Sequence, residues 1–183
     1  MHAHAERDEW LMAQAALGQR EPLEVLVRRY AQPLVSFLTR MARDRHRGEE
    51  LFQEVFLAVW RKRGQYQFPR PFKPWLYAIA VNKCRAAFRS AREELPLEAA
   101  DPPVAGGGSP AEVAIATETA ARVARAVGRL PPQQRAVVAL RVWDGLSYAE
   151  IASAVACSEA TVRSHMHHGL RAIRAALGED FES

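Results

Sequence analysis

Residues 148–174 read YAEIASAVACSEATVRSHMHHGLRAIR. Apolar residues recur in this stretch at intervals of three and four, which is the period of an amphipathic helix, and they form two runs separated by Ala156 and Cys157. Two short helices joined by a tight turn make a helix-turn-helix, whose second helix enters the major groove of DNA. The stretch therefore predicts a helix-turn-helix, with Ser158 as the N-cap of its second helix.

The second of these helices has two different faces. Its inner stripe runs at steps of 4, 4, 3 and 4 and comprises Val162, Met166, Leu170, Ile173 and Leu177. The opposite face collects Ala160, Arg163, Ser164, His167, Arg171 and Arg174. Arginine donates hydrogen bonds to base edges and phosphates, so this face is a candidate DNA-reading surface. On charge alone, a merely solvated face is the alternative.

The histidines His165, His167 and His168 raise the question of a metal site. Residues 165 and 168 share a helix face, but residue 167 points elsewhere, and no carboxylate or further histidine completes a set of four ligands. The sequence therefore predicts no metal, and we expect these side chains to contact phosphates or a protein partner. They gain charge below about pH 6.5.

Composition excludes several classes of protein. The chain has 183 residues, 49 % apolar and 25 % charged, which suits one or two small folded domains. No apolar run approaches the roughly 18 residues that span a bilayer, and the first ten residues lack the apolar stretch of a secretory signal, so we expect a cytoplasmic protein. Cys84 and Cys157 lie too far apart in sequence for a CxxC motif, and we expect both to be small buried apolar residues.

The net charge of +4 is unevenly distributed. Residues 1–92 carry 17 basic and 9 acidic side chains, residues 93–110 carry 4 acidic and no basic ones, and residues 111–183 carry 8 of each. The middle segment, EELPLEAADPPVAGGGSP, also holds four of the eleven prolines and three consecutive glycines, as a flexible linker would. Its 18 residues reach at most about 60 Å, the length of roughly 18 base pairs.

Both flanking segments have helical periodicity, and neither alternates as a half-buried strand would. We predict an all-α fold with two small helical domains, residues 1–92 and 111–183, joined by the flexible linker 93–110. The predicted helices are 8–17, 22–43, 47–62, 74–92, 111–127, 132–143, 147–155 and 159–177. Pro33 should kink or split the second helix, and Gly145 should close the sixth.

One face of the predicted helix 74–92 is suited to nucleic acid. It carries Ala78, Asn82, Arg85, Arg89 and Arg92, with Lys83 beside them. An amide can read a base edge while arginines follow the phosphate backbone. The preceding loop adds aromatic rings that stack on unpaired bases where they are exposed, and Tyr66 and Phe68 are the better candidates for such contact. Phe72 and Trp75 are at least as well explained as core residues.

The predicted helix 47–62 presents a different surface. Leu51, Phe52, Val55, Phe56 and Val59 would face the core. Another face carries Glu49, Glu50, Gln53, Glu54 and Leu57. An acidic face does not suit DNA, so it indicates a protein partner, with a solvated face as the alternative.

Three blocks together carry a resemblance: EELFQEVFLAVW, then FKPWLYAIAVNKCRAAFR, and after the linker LPPQQRAVVALRVWDGLSYAEIASAVACSEATVRSHMHHGLRAI. They resemble a bacterial sigma factor of the extracytoplasmic-function (ECF) group of the sigma-70 family. The resemblance covers residues 8–92 and 111–177 and implies a subunit that binds core RNA polymerase, recognises promoter minus-10 and minus-35 elements and promotes transcription initiation. It also implies regulation by an anti-sigma factor.

The resemblance implies roles for particular residues. Residues 1–92 would be sigma region 2 and residues 111–183 region 4, which would dock on the β flap of polymerase. The clamp helices of the β′ subunit would contact Glu50, Gln53, Glu54 and Leu57. The minus-10 element would contact Tyr66, Phe68, Asn82, Lys83, Arg85 and Arg89. The minus-35 element would contact Ala160, Thr161, Arg163, Ser164, His167, Arg171 and Arg174.

The chain departs from the family pattern in three places. Ala156 stands where a glycine is common, which is tolerable if its φ is negative. A histidine at 165, 167 or 168 stands where arginine is usual, which predicts weaker and more pH-dependent minus-35 binding. Gly169 is expected to interrupt the last helix.

Two other classes of function fit the sequence less well. A polymerase-independent helix-turn-helix regulator would bind duplex DNA tightly by itself, which the zero net charge of residues 111–183 disfavours. An enzyme would need a nucleophile–base pair, a glycine-rich phosphate loop or a metal set, and the sequence offers none of them. We therefore expect no catalytic activity, no cofactor and no small-molecule substrate.

Overall fold

The computed structural model describes residues 7–93 and 110–179, and their regular structure is helical, which confirms the all-α prediction. The predicted flexible linker, residues 93–110, lies almost entirely outside these described ranges. A first group of helices comprises α1 (Asp8–Ala16), α2 (Glu21–Ala42), α3 (Arg45–Lys62) and α4 (Phe72–Glu93). A second group comprises α5 (Pro110–Gly128), α6 (Pro132–Val142), α7 (Tyr148–Val155) and α8 (Glu159–Glu179). None of the described helices is long and apolar enough to cross a membrane.

Side-chain caps fix where several helices begin. Asp44 precedes α3 and accepts a hydrogen bond from the backbone N–H of Arg47 at 2.6 Å. Ser158 accepts one from the backbone N–H of Thr161 at 3.1 Å, which confirms its predicted role at the start of α8. Because the first N–H groups of a helix have no partner within the helix, each cap satisfies a donor that would otherwise be lost.

Pro33 does not split α2. The helix is continuous from Glu21 to Ala42, so of the two predicted effects, a kink or a split, the split is wrong. Pro33 itself is exposed, whereas Leu34, Phe37 and Leu38 beside it are fully buried. Proline inside a helix costs about 3 kcal/mol, and the burial of three large apolar side chains outweighs that cost.

The turn of the helix-turn-helix is strained. Ala156 follows α7 with φ 56° and ψ 53°, so the condition under which alanine would replace glycine without strain, a negative φ, is not met. The Cβ of an L-residue is crowded in this left-handed region, which costs about 1 to 2 kcal/mol relative to the right-handed one. The turn holds because its flanks are buried: Ile151 and Val155 lie on one side and Val162 on the other. At the end of α6, by contrast, Gly145 supplies a φ of 69° without that cost.

Gly169 does not interrupt α8, which runs without a break from Glu159 to Glu179. Instead this residue allows close packing between helices. A Cβ at position 169 would lie 2.8 Å from the Cγ2 of Val138 on α6, closer than carbon atoms pack. Gly169 is therefore explained by the contact between α6 and α8 rather than by a break.

One apolar core extends through both groups of helices. In the first group it includes Leu26, Leu34, Phe37, Leu51, Val55, Leu76 and Tyr77, and in the second Val137, Leu140, Leu146, Ile151, Val155 and Val162. The groups meet where α4 packs on α7 and where α2 packs on α5 and α6. Cys84 is fully buried in this core, as predicted, whereas Cys157 at the turn is only half-buried.

Candidate nucleic-acid interface

The outer surface of α8 is open to solvent. We call it the recognition face, and its members are Ala160, Thr161, Arg163, Ser164, His167, Arg171 and Arg174, all of which are exposed. On the opposite side of the helix Val162 and Met166 are buried, and Leu170 and Ile173 pack against the core. Burial of one stripe therefore fixes the rotation of α8 and presents the three arginines outward.

The histidines of α8 differ in their surroundings. His167 and His168 are exposed, with their rings 5.7 Å apart edge to face, whereas His165 is half-buried. His165 lines a cleft of about 550 Å³ between α4 and the turn of the helix-turn-helix, together with Arg85, Gln133 and Thr161. Within residues 7–93 and 110–179 no three histidine, cysteine or acidic side chains come together as metal ligands would.

The second predicted surface lies on α4 and is only partly open. Asn82 and Arg89 are exposed, whereas Lys83 and Arg85 are half-buried. The side chain of Arg92 lies outside the described residues. A groove of about 350 Å³ separates α3 from α4 beside Asn82, and it is lined by Ala58, Arg61, Lys62, Ile79, Asn82, Lys83 and Ala86. We call it the basic groove.

The basic groove brings in two residues that sequence reasoning missed. Arg61 and Lys62 end α3 and face Asn82 across the groove, although about 20 positions separate them in the chain. The available signal was the dense basic run RKR at 61–63 directly before the aromatic loop. Three cationic side chains and one exposed amide around a groove can hold a phosphate and read a base edge together.

The two aromatic candidates in the loop before α4 differ in exposure. Phe68 is 60 % exposed, as expected for a ring that stacks on a base. Tyr66 is 7 % exposed: its ring packs edge-on against Trp75 at 5.3 Å, and its hydroxyl donates to the carbonyl of Arg70. The expectation of an accessible Tyr66 is therefore wrong, because the loop folds this ring under itself. Phe72 and Trp75 are buried, in line with their interpretation as core residues.

On the predicted protein-binding face of α3, the acidic side chains are paired with basic ones. Glu50 accepts a hydrogen bond from Arg47 at 2.7 Å, and this bond lowers the pKa of the exposed Glu50 carboxyl. Glu54 lies 3.5 Å from Arg47 and 3.3 Å from Lys83. Leu57 remains 55 % exposed and Gln53 is also exposed. The face is thus an apolar side chain among paired charges, and Lys83 connects it to α4.

Polar contacts join the two groups of helices, and we call them the junction. The guanidinium of Arg85 donates to the carbonyl of Val155, at the end of α7, at 2.7 Å. Lys73, at the start of α4, donates to the carbonyl of Asp144. The buried hydroxyl of Tyr77 donates to the Oδ1 of the same Asp144. Two cations of the first group are therefore satisfied by backbone carbonyls of the second.

A buried arginine strengthens the junction from the other side. Arg135 of α6 is 6 % exposed and donates to the carbonyl of Met41 in α2 at 2.8 Å. It also donates to Gly128 at 2.8 Å and to Leu130 at 2.9 Å, near the end of α5. Burial lowers the pKa of its guanidinium to about 10, so Arg135 stays charged and binds helix C-termini, where a cation is favoured.

Asp144 is the acidic group at the centre of the junction. It is 6 % exposed, and its Oδ2 is buried and accepts no hydrogen bond from the described part of the chain. Burial raises the pKa of this carboxyl, although the Tyr77 hydroxyl and the charges of Lys73 and Arg40 act in the opposite direction. Arg40 also stacks on Trp143 with its guanidinium 4.5 Å from the ring centroid.

The chain matches two family models in the order of its two groups of helices. Residues 26–94 match the model described as "Sigma-70 region 2", and residues 120–173 match "Sigma-70, region 4". The first match begins in the second turn of α2 and extends through α4, and the second begins in the C-terminal half of α5 and extends into α8.

Full-length relatives agree with both matches. RNA polymerase sigma factor CarQ of Myxococcus xanthus is 33 % identical over 162 residues, covering 88 % of this chain and 92 % of the relative. The ECF RNA polymerase sigma factor SigK of a Mycobacterium species (strain JLS) is 30 % identical over 176 residues, covering 92 % and 89 %. The structure of CnrH in complex with the cytosolic domain of CnrY superposes with a TM-score of 0.72 at 26 % identity, covering 94 % of this chain and 98 % of that one.

Proposed function

Because the chain belongs to the ECF group of the sigma-70 family of RNA polymerase sigma factors, we propose that it directs core polymerase to promoters by reading two DNA elements. The observation that supports this most strongly is the pair of basic helix surfaces, one on each group of helices and in the order of the two family regions. The polymerase supplies the chemistry of RNA synthesis, and we propose a non-catalytic role for this chain.

The recognition face of α8 reads the minus-35 element in this proposal. Arg163, in the first turns of the helix, is placed to reach a base edge, as the N-terminal residues of a recognition helix do. Arg171 and Arg174 follow on the same face and contact phosphates. With as many acidic as basic residues in 111–183, the second group binds duplex DNA weakly alone and depends on the polymerase to hold it there.

The basic groove and the exposed loop read the minus-10 element. Asn82 offers an amide to the edge of a base, while Lys62 and Lys83 hold the neighbouring phosphates. Phe68 stacks on an unpaired base, which stabilises melted DNA by roughly 1 to 3 kcal/mol. Arg89 extends the same surface toward the phosphate backbone.

The face of α3 binds polymerase. Leu57 is the exposed apolar residue at its centre, and Gln53, Glu50 and Glu54 surround it as a polar rim. An exposed leucine within a charged rim is typical of a small protein interface. The β′ clamp helices and the β flap are the proposed partners of the first and second groups respectively.

Binding both elements requires the junction to open. Arg85 and Lys73 are half-buried and donate to carbonyls of the second group, so in this arrangement α7 and the loop before it restrict their access to DNA. We call the arrangement in this structure, in which α4 packs directly on α7, the closed arrangement. Residues 93–110 are long enough to let the two groups of helices separate by up to about 60 Å. We therefore propose that core polymerase binds the two groups apart. An anti-sigma factor that holds them together would keep the protein inactive, and all of these steps occur in the cytoplasm.

Run-off transcription tests the proposal. Core polymerase with and without the chain is offered a library of duplexes with randomised promoter positions, and the selected sequences are transcribed. We expect two conserved elements and transcripts that depend on the chain. The matched variant Leu57→Asp should lose assembly with core, and Ser153→Ala on the exposed side of α7 should retain it. Tight duplex binding without core, and no complex with core, would instead indicate a polymerase-independent regulator.

A further inference from the structure

One aromatic ring lies close to the guanidinium groups of two arginines in the helix-turn-helix. Tyr148 is the first residue of α7, and Arg163 of α8 places its guanidinium carbon 4.3 Å from the Tyr148 ring centroid. Arg141 of α6 lies 5.1 Å from the same centroid. Both distances are within the range in which a cation is attracted to the face of an aromatic ring.

The position of the Tyr148 ring is itself fixed from three directions. Ser147, which precedes Tyr148, and Glu150, two residues after it, form a reciprocal capping box with hydrogen bonds of 2.7 and 3.2 Å, and this sets the backbone at the start of α7. The half-buried ring packs against the apolar core. Arg141 donates to the carbonyl of Leu146 at 2.9 Å and so braces the loop that enters α7.

Arg163 is exposed, and its guanidinium has two contacts within the second group of helices. Its side chain is 60 % exposed, yet one of its nitrogens lies 3.5 Å from Glu159, one turn earlier, while the guanidinium stacks on Tyr148. A long side chain that is already oriented loses less rotamer freedom when it binds. Bidentate recognition of guanine by arginine needs such an orientation, because two N–H groups must meet O6 and N7 together.

We propose that Tyr148 is a positioning residue for minus-35 recognition: its ring orients the Arg163 guanidinium for one base pair. The proposal rests on the proposed function of the recognition face and adds a residue that lies outside α8. The ring acts through Arg163, so its hydroxyl is dispensable. If the hydroxyl instead contacted a phosphate, removing it would weaken binding to every sequence alike.

The test compares Tyr148→Phe, which keeps the ring, with Tyr148→Leu, which removes it. Each variant is reconstituted with core polymerase and offered duplexes randomised over the upstream element with a fixed downstream element. Base discrimination is measured at every position. Arg163→Ala and the double variant Tyr148→Leu/Arg163→Ala complete the cycle, and thermal unfolding of each chain identifies variants that fold poorly.

We expect Arg163→Ala to abolish discrimination at one position and Tyr148→Leu to lower it there by about 2- to 5-fold, the scale of an exposed cation–π contact. Tyr148→Phe should match the wild type, and the double variant should match Arg163→Ala. An unchanged profile in Tyr148→Leu, an equal loss at all positions, or a loss in Tyr148→Phe overturns the positioning role. No effect of Arg163→Ala at any position overturns the proposed function of the recognition face instead.

Discussion

The recognition face of α8 and the candidate nucleic-acid surface of α4 carry similar basic residues, but the two surfaces differ in how much of them is exposed to solvent. On α8, Arg163, Arg171 and Arg174 are exposed, and among the described residues no hydrogen bond or ion pair joins them to the first group of helices. On α4, Lys73 and Arg85 donate to carbonyls of the second group, and Lys83 pairs with Glu54. The first surface is therefore ready to bind, whereas the second must first lose contacts within the chain.

The difference has a chemical cause. In the free chain, Lys73 and Arg85 of α4 donate hydrogen bonds to carbonyl oxygens of the second group. In DNA the same donors would bind phosphate oxygens or acceptors on base edges. Closure satisfies these donors and so reduces what they gain from DNA. Under the proposed function, a partner that separates the two groups would restore that gain, and reading of the minus-10 element would depend on polymerase.

The largest effect is expected for Asp144→Ala. The change leaves the buried hydroxyl of Tyr77 without its acceptor, which costs the closed arrangement about 1 to 3 kcal/mol. The junction should open, and amides of α4 should exchange faster with solvent deuterium. The recognition face of α8 should not change. Equal exchange in Asp144→Ala and in the control Ser153→Ala would contradict the role of the junction.

The junction should also respond to pH. Burial raises the pKa of Asp144, whereas in an open chain this carboxyl would have the ordinary value of about 3.9. Between these two values the closed form binds more protons, so the closed fraction should rise as pH falls from the raised pKa toward the ordinary value. Asp144→Asn keeps an oxygen for Tyr77 but does not titrate, and it should remove this dependence. The same pH profile in both chains would refute it.

Asn82→Ala tests the α4 surface itself. Loss of a specific base contact should weaken promoter opening by about 1 to 3 kcal/mol and leave assembly with core intact. Permanganate reactivity of unpaired thymines measures opening, and native gel shift measures assembly. Arg89→Ala is the matched control for a phosphate contact without base preference. Parallel loss of opening and assembly would assign Asn82 a structural role.

The turn before α8 offers a stability test. Ala156→Gly should relieve the left-handed strain and stabilise the chain by about 1 kcal/mol in thermal unfolding. Ala172→Gly, an exposed position inside α8, should destabilise it by about 0.5 to 1 kcal/mol. Opposite signs are expected, and destabilisation by both changes would show that the turn carries no strain.

The smallest effect concerns the phosphate contacts of α8. Arg171→Ala and Arg174→Ala should each reduce the slope of log binding constant against log salt concentration by about 0.9 in the holoenzyme. Base preference should be unchanged in both. An unaltered slope would show that Arg171 and Arg174 contact solvent and not phosphates.

Much of the fold was predictable because its causes are local. The period of apolar residues predicted the eight described helices to within a few residues at each end, and Ser158 and Gly145 predicted where α8 starts and α6 stops. Burial of Val162 and Met166 follows from the same period. The exposed face of α8 was therefore correct residue by residue.

The junction was not predictable, because its pairs have no local signal. Tyr77 and Asp144 are 67 positions apart, and Arg85 and Val155 are 70 apart. A helical period indicates which side of α4 is apolar but not which element covers the polar side. The burial of Tyr66 and the close packing at Gly169 were missed for the same reason, since each depends on a neighbour brought by the fold.

The distance between the two groups of helices tests the central claim most directly. Spin labels at Gln65→Cys and Ala172→Cys, both exposed, are attached in a Cys157→Ser chain, where Cys84 stays unlabelled because burial raises its pKa to about 12. We expect one narrow distance distribution in the free chain and an increase of tens of ångströms, within the roughly 60 Å reach of residues 93–110, in the complex of core polymerase with promoter DNA. The same distance in both states would contradict the account.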